Sequence, residues 1–154
     1  MAGPQPRGWA EVLMGRVKFV LDSNIFSELS KKQPDRRVLA KFQQYRFVSA
    51  SCTPVHHELK FGILRMRPDK RRKELLEFLD GLLEEGIEVL PYDLKAADVH
   101  GRDRAALTSK GVAPPYVDAQ IAAIAVAHDA AVATRNVDDF RRFPGLRVDN
   151  WFES

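Results

Sequence analysis

The sequence predicts an α/β fold with a central, mainly parallel sheet of four to five strands flanked by helices. Short apolar runs such as residues 17–21 stop abruptly at polar residues, which is typical of buried strands in a parallel sheet. Longer segments with helical spacing of apolar residues separate these runs, and this alternation indicates parallel connections through helices. At 154 residues the chain is long enough for one domain with a sizeable core.

The predicted strands are short apolar runs that end at turn-forming or capping residues. The first run gives way to Asp22, Ser23 and Asn24, whose side chains favour turns and helix N-caps. The strands are predicted at residues 17–21, 47–50, 87–90, 131–134 and 146–148.

Helices are predicted in the segments between the strands. Asp35 is a candidate N-cap for a helix with an apolar face. Pro68 is expected to start a leucine-rich helix that Gly86 ends, since glycine is the preferred residue after a helix C-terminus. The predicted helices cover residues 25–30, 35–45, 54–66, 68–86, 93–109 and 117–128.

The first residues differ from the rest of the chain in composition. Gly3, Pro4, Pro6 and Gly8 break regular structure, so residues 1–15 are expected to form a peripheral leader and residues 16–154 the folded domain.

Overall composition excludes several classes of protein. Lys and Arg exceed Asp and Glu by only 24 to 21, a mildly basic balance that is compatible with a polyanionic partner. Cys52 is the single cysteine, which excludes an internal disulfide framework and fits a reducing cytoplasm. No run approaches the roughly 20 apolar residues of a membrane span, so no membrane partner is expected.

Three polar features fall where a parallel α/β fold exposes its active edge. Asp22 ends the first strand, Asp118 begins a helix, and a polar group follows the fourth strand. Carboxylates in such a cluster can hold Mg²⁺ or Mn²⁺, which prefer oxygen ligands and assist phosphodiester cleavage. Each acid alone also has a simpler interpretation: Asp22 as an N-cap, Asp118 as a partner of the helix dipole, and Glu58 as an ordinary helix glutamate.

Four motifs occur in a recognisable order. They are Val-Leu-Asp22-Ser-Asn24, His57-Glu58-Leu-Lys-Phe-Gly62, Asp118-Ala-Gln-Ile-Ala-Ala-Ile-Ala and Ala-Thr134-Arg-Asn136-Val-Asp-Asp139-Phe140. In this order the chain resembles the PIN-domain ribonuclease toxins of the VapC type, from about residue 16 to residue 152. The resemblance implies a PIN-like fold.

The resemblance also implies roles for individual residues. Asp22 and Asp118 would be the principal Mg²⁺ ligands, and Glu58 would help bind the metal or polarise the attacking water. The fourth acid would be Asp139, with Asp138 as the weaker alternative, because Asn136 stands where some relatives have an aspartate. Ser23, Asn24 and Thr134 would support the site, Thr134 by a hydrogen bond to a ligand or a substrate phosphate, and Asn136 by binding the cation or its water.

In function, the resemblance implies a Mg²⁺-dependent endoribonuclease that is the toxin of a type II toxin–antitoxin module. It further implies a cognate VapB-like antitoxin as partner, and a homodimer. An antitoxin peptide could insert a basic side chain among the acids.

Basic residues could contact the phosphates of such a substrate. Arg135, Arg141 and Arg142 lie nearest to the fourth motif and are the better candidates. The basic cluster at residues 65–73 fits either a solvated helix start or an RNA-binding surface.

Two other functions compete with this interpretation. The chain could be a PIN-like module that binds RNA or a partner with little or no cleavage, since Asn136 carries no charge. It could also be a phosphoryl-transfer protein with Asp22 as nucleophile, although Asn24 stands where a haloacid-dehalogenase-like phosphatase usually has an aspartate.

Overall fold

A five-stranded sheet with all neighbouring strands parallel forms the centre of the fold, which confirms the predicted fold class. The computed structural model describes residues 17–153. The strand order across the sheet is β3-β2-β1-β4-β5. In chain order the strands are β1 (Phe19–Leu21), β2 (Ser49–Cys52), β3 (Glu88–Leu90), β4 (Ala131–Ala133) and β5 (Val148–Asp149).

The register of the sheet brings the ends of three strands together. Val20 lies opposite Ala50 of β2 and Val132 of β4. Because the strands run in the same direction, the residues that follow β1, β2 and β4 reach the same edge of the sheet. This is the edge at which ligands bind in open α/β folds.

Helices connect the strands, and aspartates cap several of them. The helices are α1 (Ser23–Leu29), α2 (Arg36–Tyr45), α3 (Thr53–Leu64), α4 (Lys70–Glu84), α5 (Leu94–Ser109), α6 (Tyr116–Ala127) and α7 (Val137–Phe140). Asp35 accepts backbone N–H groups of α2 at 2.8 and 3.3 Å, as predicted, and Asp93 caps α5 in the same way at 3.0 Å.

The predicted second strand is wrong by two residues. Residues 46–48 form a short 3₁₀ helix, and Phe47 is 73% exposed. The strand is instead the Ser-Ala-Ser-Cys segment 49–52, in which every residue is buried. Small side chains suit this position because the strand is covered on both faces, a constraint that strand propensity alone does not include.

The leucine-rich helix also begins later than predicted. Asp69 accepts the N–H of Arg72 at 3.0 Å, so α4 begins at Lys70 and Pro68 lies before it. Its end agrees with the prediction: Gly86 has a φ of +94°, and the N–H of Ile87 bonds to the carbonyl of Leu82.

Helix α6 lies in the core. Ile121, Ile124 and the alanines around them are almost fully buried. Because alanine is small, the backbone of α6 can lie close to its neighbours, and its first turn carries Asp118 to the active edge.

Two sequence-based predictions concern other parts of the chain. The leader expected at residues 1–15 lies outside the described residues. Within residues 17–153, no helix has both the length and the apolar character needed to span a bilayer.

One buried carboxylate on α5 lacks a complete set of partners. Asp103 is 7% exposed, and its Oδ2 has no hydrogen-bond partner among the described residues. Burial raises the pKa of Asp103, and the nearby His100 and Arg102 only partly oppose this. The folded chain therefore holds the proton of Asp103 more tightly than the unfolded chain does, and ionisation at neutral pH costs stability.

We predict that Asp103→Ala stabilises the fold at pH 7. The gain in the free energy of unfolding should be about 1 kcal/mol, because it removes an unsatisfied buried acceptor and improves helix propensity. The gain should shrink toward pH 4, because the raised pKa makes the folded state bind the proton of Asp103 before the unfolded state does. Urea unfolding at both pH values measures it.

Asp98→Ala is the matched control for this change. Asp98 is exposed on the same helix, so its replacement reports helix propensity alone. Equal effects of the two substitutions at pH 7 would contradict the prediction.

Candidate active site

Asp22 is buried at the carboxyl end of β1 and is held by three hydrogen bonds. The residue as a whole is 5% exposed to solvent. Oδ2 accepts the hydroxyl of Thr134 at 2.8 Å, and Oδ1 accepts the backbone N–H of Ser23 at 2.8 Å. The Asn24 amide adds a longer bond of 3.3 Å to Oδ2. The carboxylate therefore has a fixed orientation before any ligand binds.

The hydroxyl of Thr134 is the centre of a small polar network. It accepts the Asn24 amide at 3.1 Å and the backbone N–H of Asn136 at 3.0 Å while it donates to Asp22. The carbonyl oxygen of the Asn24 side chain in turn accepts the N–H of Arg135 at 3.1 Å. The loop after β4 is thus tied to the start of α1.

Glu58 on α3 and Asp118 on α6 lie close enough to Asp22 for their charges to interact. Burial raises the pKa of all three carboxyls. The charge of Asp22 raises the pKa values of Glu58 and Asp118 further, and that of Asp118 reaches about 6. Such mutual repulsion is expected where several carboxylates share one site.

Asp139 lies close enough to Asp22 and Asp118 for their charges to interact, whereas its neighbour Asp138 faces solvent. The charge of Asp139 contributes to the raised pKa values of Asp22 and Asp118. The side chain of Asp138 is 95% exposed and forms an ion pair with Arg141 at 3.5 Å. We refer to Asp22, Glu58, Asp118 and Asp139 as the acidic cluster.

The three arginines singled out in the sequence have different surroundings. Arg142 is 3.7 Å from Asp139, and its charge lowers the pKa of Asp118. Arg141 pairs with Asp138 at the surface. The guanidinium of Arg135 instead lies over the ring of Phe152, 3.9 Å from its centroid.

The chemistry of these donors fits a hard divalent cation. The acidic cluster offers only oxygen ligands. Burial raises the pKa values of Asp22, Glu58 and Asp118, and neighbouring acids raise them further, a repulsion that a cation would relieve. Within residues 17–153, no three Asp, Glu, His or Cys side chains form a ready-made metal cage. Mg²⁺ is commonly held by one or two carboxylates and keeps several waters, so it does not need such a cage.

A largely apolar groove of about 420 Å³ lies beside the acidic cluster. It lies among α1, α3 and α4, and Glu58 belongs to both the groove and the cluster. Its apolar walls include Phe26, Ile63 and Phe78, and Lys31 also lines the groove. The groove therefore offers apolar surface with charge of both signs.

The structure brings most of the predicted site residues to one edge of the sheet. The hydroxyl of Thr134 donates to Asp22, a predicted metal ligand, which is one of the two hydrogen bonds that the sequence predicted for it. Ser23 supports Asp22 through its backbone N–H. The side chain of Asn136 is exposed and makes no cap hydrogen bond to α7. The contact between Phe152 and Arg135 was not predicted from the sequence. It arises because Phe152 follows β5, which lies beside β4 and so brings the ring under Arg135.

Comparison with known proteins places the chain in a family. The family model described as "PIN domain" matches residues 19–146. The chain is 38% identical to VapC ribonuclease Y4jK of Sinorhizobium fredii over 138 residues, which cover 87% of this chain and 97% of that protein. It is 32% identical to the tRNA(fMet)-specific endonuclease VapC of Salmonella typhimurium, over 88% of this chain and 98% of the relative.

Solved structures agree with this placement. DNA-bound VapBC from Salmonella typhimurium contains a chain that superposes with a TM-score of 0.78 at 29% identity. The match covers 88% of this chain and 98% of that one.

We predict that Asp118→Asn stabilises the metal-free protein at pH 7 and has progressively less effect toward pH 4. The pKa of Asp118 is about 6 in the folded state against 3.8 for an ordinary aspartate. As the pH rises through 6, the folded state must release a proton that it binds better than the unfolded state, so wild-type stability falls and the variant does not share this loss.

Urea unfolding in EDTA across this pH range measures the difference between the two proteins. Asp80→Asn, at an exposed position on α4, is the matched control. A difference that stays constant from pH 4 to pH 7 would contradict the raised pKa.

Proposed function

The chain belongs to the PIN-domain family together with the VapC ribonucleases, and we propose that it is a Mg²⁺-dependent endoribonuclease, the toxin of a type II toxin–antitoxin module. The observation that supports this most is the acidic cluster, in which burial and then the charges of neighbouring acids raise the pKa values of Asp22, Glu58 and Asp118. Mn²⁺ has similar ligand preferences and would substitute for Mg²⁺.

Asp22 and Asp118 are the proposed metal ligands. When bound, the cation would neutralise charge on the phosphate and activate a water for attack. Hydrogen bonds from Thr134 and Ser23 hold Asp22 in one orientation, which lowers the entropic cost of binding. Asp139 and the amide of Asn136 would complete the polar wall of the site.

Glu58 is the proposed acceptor of a proton from the attacking water. Its raised pKa makes it a stronger base than an ordinary glutamate. The side chain is exposed enough to meet a substrate that approaches from solvent.

A VapB-like antitoxin is the proposed protein partner. The apolar groove beside Glu58 suits a peptide with apolar anchors, and a basic side chain of that peptide could enter the acidic cluster. The solved complexes with antitoxins that this chain resembles support the proposal. We also propose a homodimer that acts in the cytoplasm, where its RNA substrate is found.

The main alternative is a PIN-like module that binds RNA or a partner with weak catalysis. The uncharged Asn136 favours it, because one potential ligand carries no charge. A phosphoryl-transfer protein with Asp22 as nucleophile fits this chain less well, since Asn24 stands where a haloacid-dehalogenase-like phosphatase usually has an aspartate. Phosphate trapped on Asp22 would support that third function.

We predict that Asp22→Asn reduces Mg²⁺-dependent RNA cleavage by at least about 100-fold, because a lost metal interaction is worth several kcal/mol in the transition state. Single-turnover cleavage of a labelled RNA, with and without EDTA, measures the loss. Asp98→Asn on the exposed face of α5 is the control. Equal cleavage by wild type and Asp22→Asn would refute the assignment of the site.

We also predict that Mg²⁺ raises the melting temperature of the wild-type protein and has little effect on Asp22→Asn. A ligand that binds only the folded state stabilises it by mass action, and Asp22 is proposed to be a principal ligand. Thermal melts over a Mg²⁺ titration test binding without reference to cleavage. A shift of equal size in both proteins would place the cation elsewhere.

A further inference from the structure

Arg135 differs from the other arginines near the acidic cluster because its guanidinium makes no ion pair with any described residue. Arg141 and Arg142 each face a carboxylate, Asp138 and Asp139 respectively. The charge of Arg135 lowers the pKa values of two acids, Glu28 and Asp35. Both oxygens of Glu28 already accept hydrogen bonds, and Asp35 caps α2 by accepting two backbone N–H groups. The charge of Arg135 is therefore available to a ligand.

The guanidinium of Arg135 is nevertheless held in place. It lies 3.9 Å from the ring centroid of Phe152, closer than in any of the other cation–π contacts of the described residues. Stacking uses the face of the guanidinium and leaves its N–H groups free to donate. Phe152 is itself only 8% exposed and belongs to the core, so it provides a fixed support.

The backbone of Arg135 connects this support to the acidic cluster. Its N–H bonds to Asn24, which also bonds to Asp22 and Thr134. The side chain lines an open cavity of about 400 Å³ together with Asn136 and Asp139. A group bound by Arg135 in this cavity would therefore lie next to the acids.

We propose that Arg135, stacked on Phe152, binds a phosphate of the RNA strand adjacent to the scissile one and acts as a positioning residue. The proposal rests on the ribonuclease function proposed above. A nucleic-acid strand that enters an acidic cluster meets repulsion at every phosphate, so a fixed cation beside the cluster is needed to guide it. The guanidinium fork matches the geometry of a phosphate, and its position sets the register of the strand.

The test is binding of a short, fluorescein-labelled single-stranded RNA of mixed sequence, measured by anisotropy on the full chain in EDTA over a series of salt concentrations. Arg135→Ala should weaken binding by about tenfold, the value of one charge-assisted contact. The slope of log affinity against log salt should fall by about 0.7, the contribution of one single-strand phosphate.

Two further variants separate charge from stacking. Arg135→Lys keeps the charge and loses the planar fork, so it should keep the salt slope and bind less tightly than wild type. Phe152→Leu keeps an apolar side chain and removes the ring, so it should resemble Arg135→Lys if its melting temperature is unchanged. Because Phe152 lies in the core, Arg135→Lys is the test that leaves folding undisturbed.

Arg147→Ala is the matched control. Arg147 pairs with Asp129, which precedes β4, at the opposite edge of the sheet, and its loss changes the net charge by the same amount. Cleavage kinetics supply a second measurement: Arg135→Ala should raise KM for RNA about tenfold and leave kcat nearly unchanged.

The outcomes are distinct from those of the proposed function. The role of Arg135 would be overturned if Arg135→Ala bound RNA with the affinity and salt slope of the wild type. It would also be overturned if Arg147→Ala lost as much RNA affinity as Arg135→Ala. Either result would hold even if the protein cleaves RNA. Absence of cleavage by the wild type would overturn the proposed function, while the binding measurements would still report whether Arg135 contacts a phosphate.

Discussion

The hydrogen bond from Thr134 to Asp22 joins the ends of the neighbouring strands β1 and β4 at the edge where the site lies, and the rest of the site depends on it. It requires β1 and β4 to be neighbours in register, a relation that is set by 111 intervening residues of helix and strand. It also fixes Asp22 in the same network that holds Asn24 and the backbone of Asn136. A change in the packing of either strand would therefore reach the carboxylate directly.

Burial of Asp22 has an electrostatic consequence for the whole edge. A carboxylate with so little exposure is costly to ionise, and the nearby acids add to that cost. The free energy lost at Asp22 is offset by the continuous apolar core that the sheet and α6 form elsewhere. Stability and proposed chemistry oppose each other at this site, as is common for clustered catalytic groups.

Much of this arrangement could be predicted from local sequence, because strand ends and caps have local signals. Asp22 follows a strongly apolar run, Asp35 caps its helix directly, and Gly86 ends another. The strand at residues 49–52 was predicted two residues too early, because Ser and Ala have weak strand propensity. These residues form a strand because the segment is buried between two layers of the fold, which local sequence does not reveal. The stacking of Arg135 on Phe152 joins residues from separate elements and leaves no local pattern.

Cys52 illustrates how the neighbours of the acidic cluster are constrained. It ends β2, beside β1, and burial together with the charges of Asp22 and Glu58 raises the pKa of its thiol to about 12. The thiol therefore stays neutral, which keeps it a poor nucleophile and avoids another negative charge near the acids. An aspartate at this position would add to the repulsion, and a large side chain would displace a strand that is buried on both faces. A small neutral residue is what both the packing and the electrostatics of this edge require, so Cys52 is explained by its surroundings without any role in the chemistry.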